Sequence, residues 1–221
     1  MTLSAIEIIG YRSIRKIRFP VRQLTVLVGG NGVGKTNLYR SLELLQAAAR
    51  GTLADEIARE GGLASIFWAG GKNLSPDGSF DPMYRTDGYR KGEGHSLRLA
   101  ASFADLGDGS FDPTYRLEVG FPTKTDAAFP NEAQIKAESL GWQQRGKTVS
   151  LMERKGGTAW ARDAAGLREV ANDDMLASET ALAALSGRSE IALVRDSWLP
   201  GGSFMASVPM PNPPCAGHRG R

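Results

Sequence analysis

The chain has 221 residues, 41% hydrophobic and 23% charged, ordinary proportions for one or two soluble globular domains. No apolar run approaches the roughly 18 residues of a membrane span. The N-terminus lacks a signal peptide's basic and apolar regions, and one cysteine, Cys215, excludes an internal disulfide framework; together these point to the cytoplasm. A net charge of +3 and a pI of about 9.1 are compatible with nucleic-acid contact without demanding it.

In chain order, Ile6–Ile9 and Ile14–Phe19 read as two short strands, with Gly10-Tyr11-Arg12-Ser13 as the bend between them. The second alternates apolar and basic residues, so one face is solvated. Basic residues cluster here (Arg12, Arg15, Lys16, Arg18, Arg22), at Arg145 with Lys147, and at Arg154 with Lys155. They fit solvated strand faces and turns; a phosphate-tracking surface is the alternative.

Leu24-Thr25-Val26-Leu27-Val28 is an apolar, β-branched run that reads as a strand ending at the first glycine of a loop. The loop, Gly29-Gly30-Asn31-Gly32-Val33-Gly34-Lys35-Thr36, fits G-x-x-x-x-G-K-S/T, and Asn37 and the leucines after it show helical spacing. Strand, glycine loop and helix are the context in which this pattern binds phosphate. Glycines let backbone N–H groups approach a β-phosphate. The helix N-terminus adds partial positive charge. Lys35 supplies a point cation for the β- and γ-oxygens, and the Thr36 hydroxyl a ligand for Mg²⁺. The expected ligand is ATP with Mg²⁺. An ordinary glycine-rich turn ahead of a helix is the bland alternative.

The helix should run to about Arg50 and stop at Gly51. Asp55–Glu60 reads as a short helix closed by Gly61-Gly62, and Leu63–Trp68 as an apolar segment ending at Gly70-Gly71. Residues 72–94 have a loop's composition, and a mobile one is expected. Strand-like segments follow at 96–103, 115–121, 134–142, 148–154 and 158–162, an antiparallel meander inserted after the glycine-loop helix. Residues 178–185 read as a helix with Ser178 as N-cap. His95 and His218 have no metal-like context.

The strand, Tyr11-Arg12-Ser13 turn, second strand and G-x-N-G-x-G-K-T-N of residues 29–37 resemble the RecF/SMC-like branch of ABC-type AAA-family ATPases. Segments at 65–71, 117–122, 135–140 and 153–157 are similar to a bacterial predicted-ATPase group of that branch, so the resemblance covers about residues 3–199. It implies an α/β P-loop NTPase fold, the N-terminal lobe of an ABC/SMC-like head with an inserted antiparallel β-subdomain at about 96–162. It also implies ATP-driven head-to-head dimerisation, each glycine loop facing the partner's signature motif, and action on DNA in repair, recombination or defence. By the same analogy Arg12 approaches the nucleotide phosphates; a surface arginine in a turn is the alternative.

Hydrolysis by such a head needs an acidic residue for Mg²⁺ at the end of an apolar strand, then a glutamate that positions water. Ile191–Asp196 comes closest, but Arg195 interrupts it and Ser197 follows; Asp55-Glu56 has no apolar strand before it. Leu185-Ser186-Gly187-Arg188-Ser189-Glu190 only superficially resembles a signature L-S-G-G-Q. The catalytic residues are therefore unassigned. The tail, 200–221, is rich in proline and glycine, has no acidic residue and offers nothing to pack. Back-translated and read two nucleotides later, residues 208–218 can encode Ala-Asp-Ala-Glu-Ser-Pro-Val-Arg-Arg-Pro, similar to a segment usual at this point in the group. The expectation is a frameshift near Pro200, an out-of-frame tail and a truncated head.

ATP binding is thus expected, with turnover by this chain alone in doubt. The rivals are a degenerate, non-hydrolysing fragment, an ABC-transporter ATP-binding subunit, and a P-loop kinase. The 11–13 turn, Asn37 and the β insertion argue against the transporter subunit, and the want of an arginine-rich lid against the kinase.

Overall fold

The computed structural model describes residues 2–30, 32–68, 96–104, 112–122, 131–144, 147–162, 166–185 and 187–199. Alternating side chains build one antiparallel sheet from β1 (Thr2–Tyr11), β2 (Ile14–Pro20), β3 (Ser96–Ala104), β4 (Pro113–Gly120), β5 (Gln134–Gln144), β6 (Lys147–Lys155), β7 (Thr158–Arg162) and β8 (Arg168–Asn172). Its order is β2-β1-β3-β4-β5-β6-β7-β8. The meander expected from the sequence is present, continues through β8, and joins β1 and β2 in the same sheet through the β1–β3 pair.

The register puts apolar residues in rows across the strands. Ile17, Ile8, Leu99 and Leu117 stand opposite one another in turn. That face carries the core of Ile6, Ile8, Leu97, Leu99, Phe103, Leu117 and Val119, covered by helices. The opposite face is charged and laced by surface pairs: Lys16–Glu7 at 3.8 Å, Arg98–Glu118 at 3.3 Å and Arg168–Glu153 at 2.8 Å. Such exposed pairs add little stability. At the β5 bulge a Cβ on Gly141 would lie 2.5 Å from the Val149 carbonyl oxygen, so only glycine permits that approach of β6.

The long helix α1 (Lys35–Arg50) buries Leu44, Leu45, Ala48 and Ala49 on its core side. It ends where the sequence indicates. Gly51 adopts φ 76°, and its N–H reaches the Ala47 and Ala48 carbonyls. Two short helices, α2 (Leu53–Arg59) and α3 (Leu63–Ile66), follow it. After the sheet come α4 (Ala181–Ala184) and α5 (Ser189–Asp196), and Trp198 closes the far end of α1. Its carbonyl accepts from Gln46 Nε2 at 2.9 Å, and its ring meets Phe103 edge-on at 5.8 Å.

Several expectations need correction. The helix placed at 178–185 is the shorter α4, with Thr180 rather than Ser178 before it; the Thr180 hydroxyl donates to the Ala48 carbonyl instead of capping. The cap comes from β5, where Glu138 accepts the Ala181 and Leu182 N–H groups at 2.7 and 2.8 Å and the Tyr115 hydroxyl at 2.9 Å. Arg154 is no surface cation: it is 1% exposed and donates to the Gly156 and Leu176 carbonyls. Residues 72–94, His95, Arg145, the tail with Cys215 and His218, and any domain boundary near 200 lie outside the described residues.

Candidate phosphate-binding site

The glycine loop enters α1 as the motif requires. Gly32 and Gly34 take φ 84° and 95°, backbone that L side chains rarely adopt. Gly34 is the N-cap of α1, and the first turn carries neither a side-chain cap nor an acidic residue. Its free N–H groups and dipole therefore favour an anion. Lys35 Nζ bends back over the loop and donates to the carbonyls of Gly29 and Gly30, the latter at 2.6 Å. Thr36 is exposed on the first turn, as is Val33 in the loop; Asn31 lies outside the described residues.

The β1–β2 turn abuts this loop. Ser13 Oγ accepts from Asn37 Nδ2 at 2.8 Å and would lie 2.9 Å from a Cβ on Gly34. So Asn37 ties α1 to the turn, and a Cβ on Gly34 would crowd Ser13 Oγ. Next to Ser13, Arg12 has φ 47°, the one non-glycine residue with positive φ among the described residues. Its N–H donates to the Ile66 carbonyl at 2.7 Å, and Trp68 N–H donates to that of Gly10 at 2.9 Å. The Arg12 side chain meets Glu60 just beyond α2, with Nη2 2.7 Å and Nε 3.1 Å from Glu60 Oε2. The buried Tyr11 hydroxyl donates to the same carboxylate, 2.7 Å from Oε2 and 2.9 Å from Oε1. Burial, and then the bond to Glu60, push the Tyr11 phenol above its ordinary range. No spacing in the sequence marks Glu60 as part of this site.

One element around the loop is not as expected. Leu24–Val28 forms no strand: none of the eight strands pairs with it, and Leu24, Val26 and Val28 are 81%, 70% and 89% exposed. A strand is defined by its neighbours' hydrogen bonds, and an apolar β-branched run supplies only the propensity. The acidic positions weighed for hydrolysis are not on strands either. Ile191–Asp196 lies in α5, where Asp196 pairs with its neighbour Arg195 at 2.6 Å, and Asp55 and Glu56 lie in α2. Among the described residues no group of three or more His, Cys, Asp or Glu is placed to hold a metal ion, and no helix is long and apolar enough to cross a membrane.

Residues 24–87 match a protein family described as "AAA domain, putative AbiEii toxin, Type IV TA system". A solved structure described under the structural biochemistry of ATP-driven dimerization and DNA-stimulated activation of SMC ATPases is similar, with a TM-score of 0.38 and 19% identity over 67% of this chain and 72% of that one. No curated protein matches the chain. The mixed α/β architecture, the glycine loop entering α1 and the AAA-domain match spanning both make the fold P-loop NTPase-like.

Proposed function

We propose that the chain binds ATP through residues 29–37. The observation that carries this is the glycine loop itself: left-handed Gly32 and Gly34, an uncapped helix N-terminus, and the Lys35 ammonium lying over the loop carbonyls. In this reading Gly29, Gly30, Asn31, Gly32, Val33 and Gly34 wrap the β-phosphate with backbone N–H groups. Lys35 moves from the carbonyls to the β- and γ-oxygens, and Asn37 holds the loop against Ser13. The Thr36 hydroxyl and phosphate oxygens would hold Mg²⁺, whose chemistry is to neutralise charge on the β- and γ-phosphates. Arg12 approaches the same phosphates from the adjoining turn.

By resemblance, the wider activity is ATP hydrolysis by a head-to-head homodimer acting on DNA. A second reading, nucleotide binding without turnover, is favoured by a specific observation. Among the described residues, the run leading into the loop has no strand beside it, and the acidic stretches weighed for hydrolysis lie on helices.

The test is equilibrium binding of ATP, ADP and AMP to the chain, with and without Mg²⁺, alongside phosphate release. Saturable binding in the order ATP, ADP, AMP is expected, because each phosphate lost removes contacts with the loop. Binding of AMP as tight as ATP, or none of ATP at millimolar concentration, would overturn the proposal. Phosphate release separates the two readings of turnover.

A further inference from the structure

We infer that Glu60 is a positioning residue for the phosphate site: it holds Arg12, the neighbour of the Ser13 that abuts the glycine loop, with one side of the guanidinium left for the nucleotide. This rests on the proposed binding of ATP at residues 29–37. Three hydrogen bonds converge on Glu60 Oε2, from Arg12 Nε, Arg12 Nη2 and the Tyr11 hydroxyl. The two partners differ in exposure. The Glu60 side chain is 7% exposed and the Arg12 side chain 25%, so the carboxylate is the fixed end and the guanidinium the one that reaches solvent. The clamp uses the Nε–Nη2 side of the guanidinium; Nη1 has no partner among the described residues.

The backbone argues the same way. Left-handed φ at a non-glycine residue is retained where the surroundings over-determine it, and such residues concentrate at functional sites. Here Ile66 holds the Arg12 N–H, Glu60 holds its side chain, and the next residue, Ser13, is bonded to Asn37. A mere tie between β1 and α2 would not need that conformation, nor a turn whose next residue is bonded to Asn37 of α1. Arg12 and Glu60 stand 48 residues apart, so no local motif joins them. A carboxylate that orients a functional side chain through a second hydrogen-bonding edge is a general device for preorganising a site.

The experiment uses the full chain and its Arg12→Ala, Glu60→Gln and Arg12→Ala/Glu60→Gln variants, with ATP and ADP affinities measured by competition and Tm as a fold control. Glu60→Gln is expected to weaken ATP about tenfold and to reduce the ATP-over-ADP preference, the scale of one charge-assisted hydrogen bond lost at the phosphates. The double variant should bind like Arg12→Ala, because the two residues act as one unit. If Glu60→Gln is unfolded, Arg12→Lys keeps the charge without the two-pronged clamp and should show the same loss of preference.

A lowered Tm with an unchanged ATP-over-ADP preference makes the pair a structural tie and overturns the inference. Tighter ATP binding in Glu60→Gln also overturns it, since Glu60 would then withhold Arg12. In both cases Lys35-dependent ATP binding by the wild type leaves the proposed function standing. If the wild type does not bind ATP at all, the proposed function fails and this inference with it.

Discussion

Lys35→Ala is expected to weaken ATP binding by roughly 100-fold or more, a loss of about 3 kcal/mol. The Lys35 ammonium is the charge that lies over the loop, within reach of two of its carbonyls, and a phosphate chain would replace those weak acceptors with anionic oxygens. The substitution leaves the fold alone, because Lys35 contributes nothing to the core. Isothermal titration of ATP into wild type and variant checks it, with Tm confirming equal folding. Lys35→Arg should also lose affinity, since a planar fork does not replace a compact ammonium in a tight loop. Unchanged affinity in Lys35→Ala would place the nucleotide elsewhere.

Glu138→Ala is expected to cost about 3–5 kcal/mol of stability, the usual penalty for stripping one partner from a buried charged network. Glu138 is buried and accepts the Tyr115 hydroxyl and both leading N–H groups of α4; Arg154 is close enough to act on it through space. Removing it leaves the Tyr115 hydroxyl and the Ala181 and Leu182 N–H groups without their acceptor, and the buried Arg154 guanidinium without its nearby carboxylate. In a chain of this size the loss lowers Tm by roughly 6–20 °C, which thermal unfolding by circular dichroism would read. Tyr115→Phe, which removes one donor, should cost far less.

The same network has a pH signature. Burial raises the Glu138 carboxyl above its ordinary range, against the pull of its donors and Arg154. A carboxyl raised on folding binds its proton more tightly in the native state, so its contribution to stability grows as pH falls through the raised value and is lost as pH rises. Wild type should therefore gain on Glu138→Gln as pH is lowered towards 4.5, the ordinary value. A difference in unfolding free energy that stays flat with pH would mean the carboxyl is not raised.

Local chemistry was legible in the sequence and long-range partnership was not. The glycine loop, the bounds of α1 and the alternating strands follow from residues within a few positions of one another, as with Gly51 and the Leu44–Leu45 face. Leu24–Val28 has the composition of a strand, yet pairing depends on what lies beside it. Arg154 sits in a basic cluster by sequence and is buried because the fold carries it to the carbonyls of Gly156 and Leu176. Glu60 and Glu138 are ordinary glutamates until Tyr11, Arg12, Tyr115 and α4 are brought to them across 43–49 residues or more than 20. The short β8 escaped because Arg168–Asn172 is charged and mostly exposed, with little periodicity to mark it.

The sheet order also sets an order of assembly. From β3 to β8 each strand lies beside its successor in the chain, so these strands can zip up hairpin by hairpin. The β1–β3 pair is different: joining Ile8 to Leu99 closes a loop that contains the glycine loop, α1, α2 and α3. Such non-local closures lose chain entropy before any contact compensates, and they slow folding. The meander is therefore expected to form first and to capture β1 afterwards. Pulsed hydrogen exchange would show amides of β4–β7 protected before those of β1; simultaneous protection would refute this order. The glycine loop would then take its final place after the meander, set there by an edge that has to wait for the far end of its own long arc.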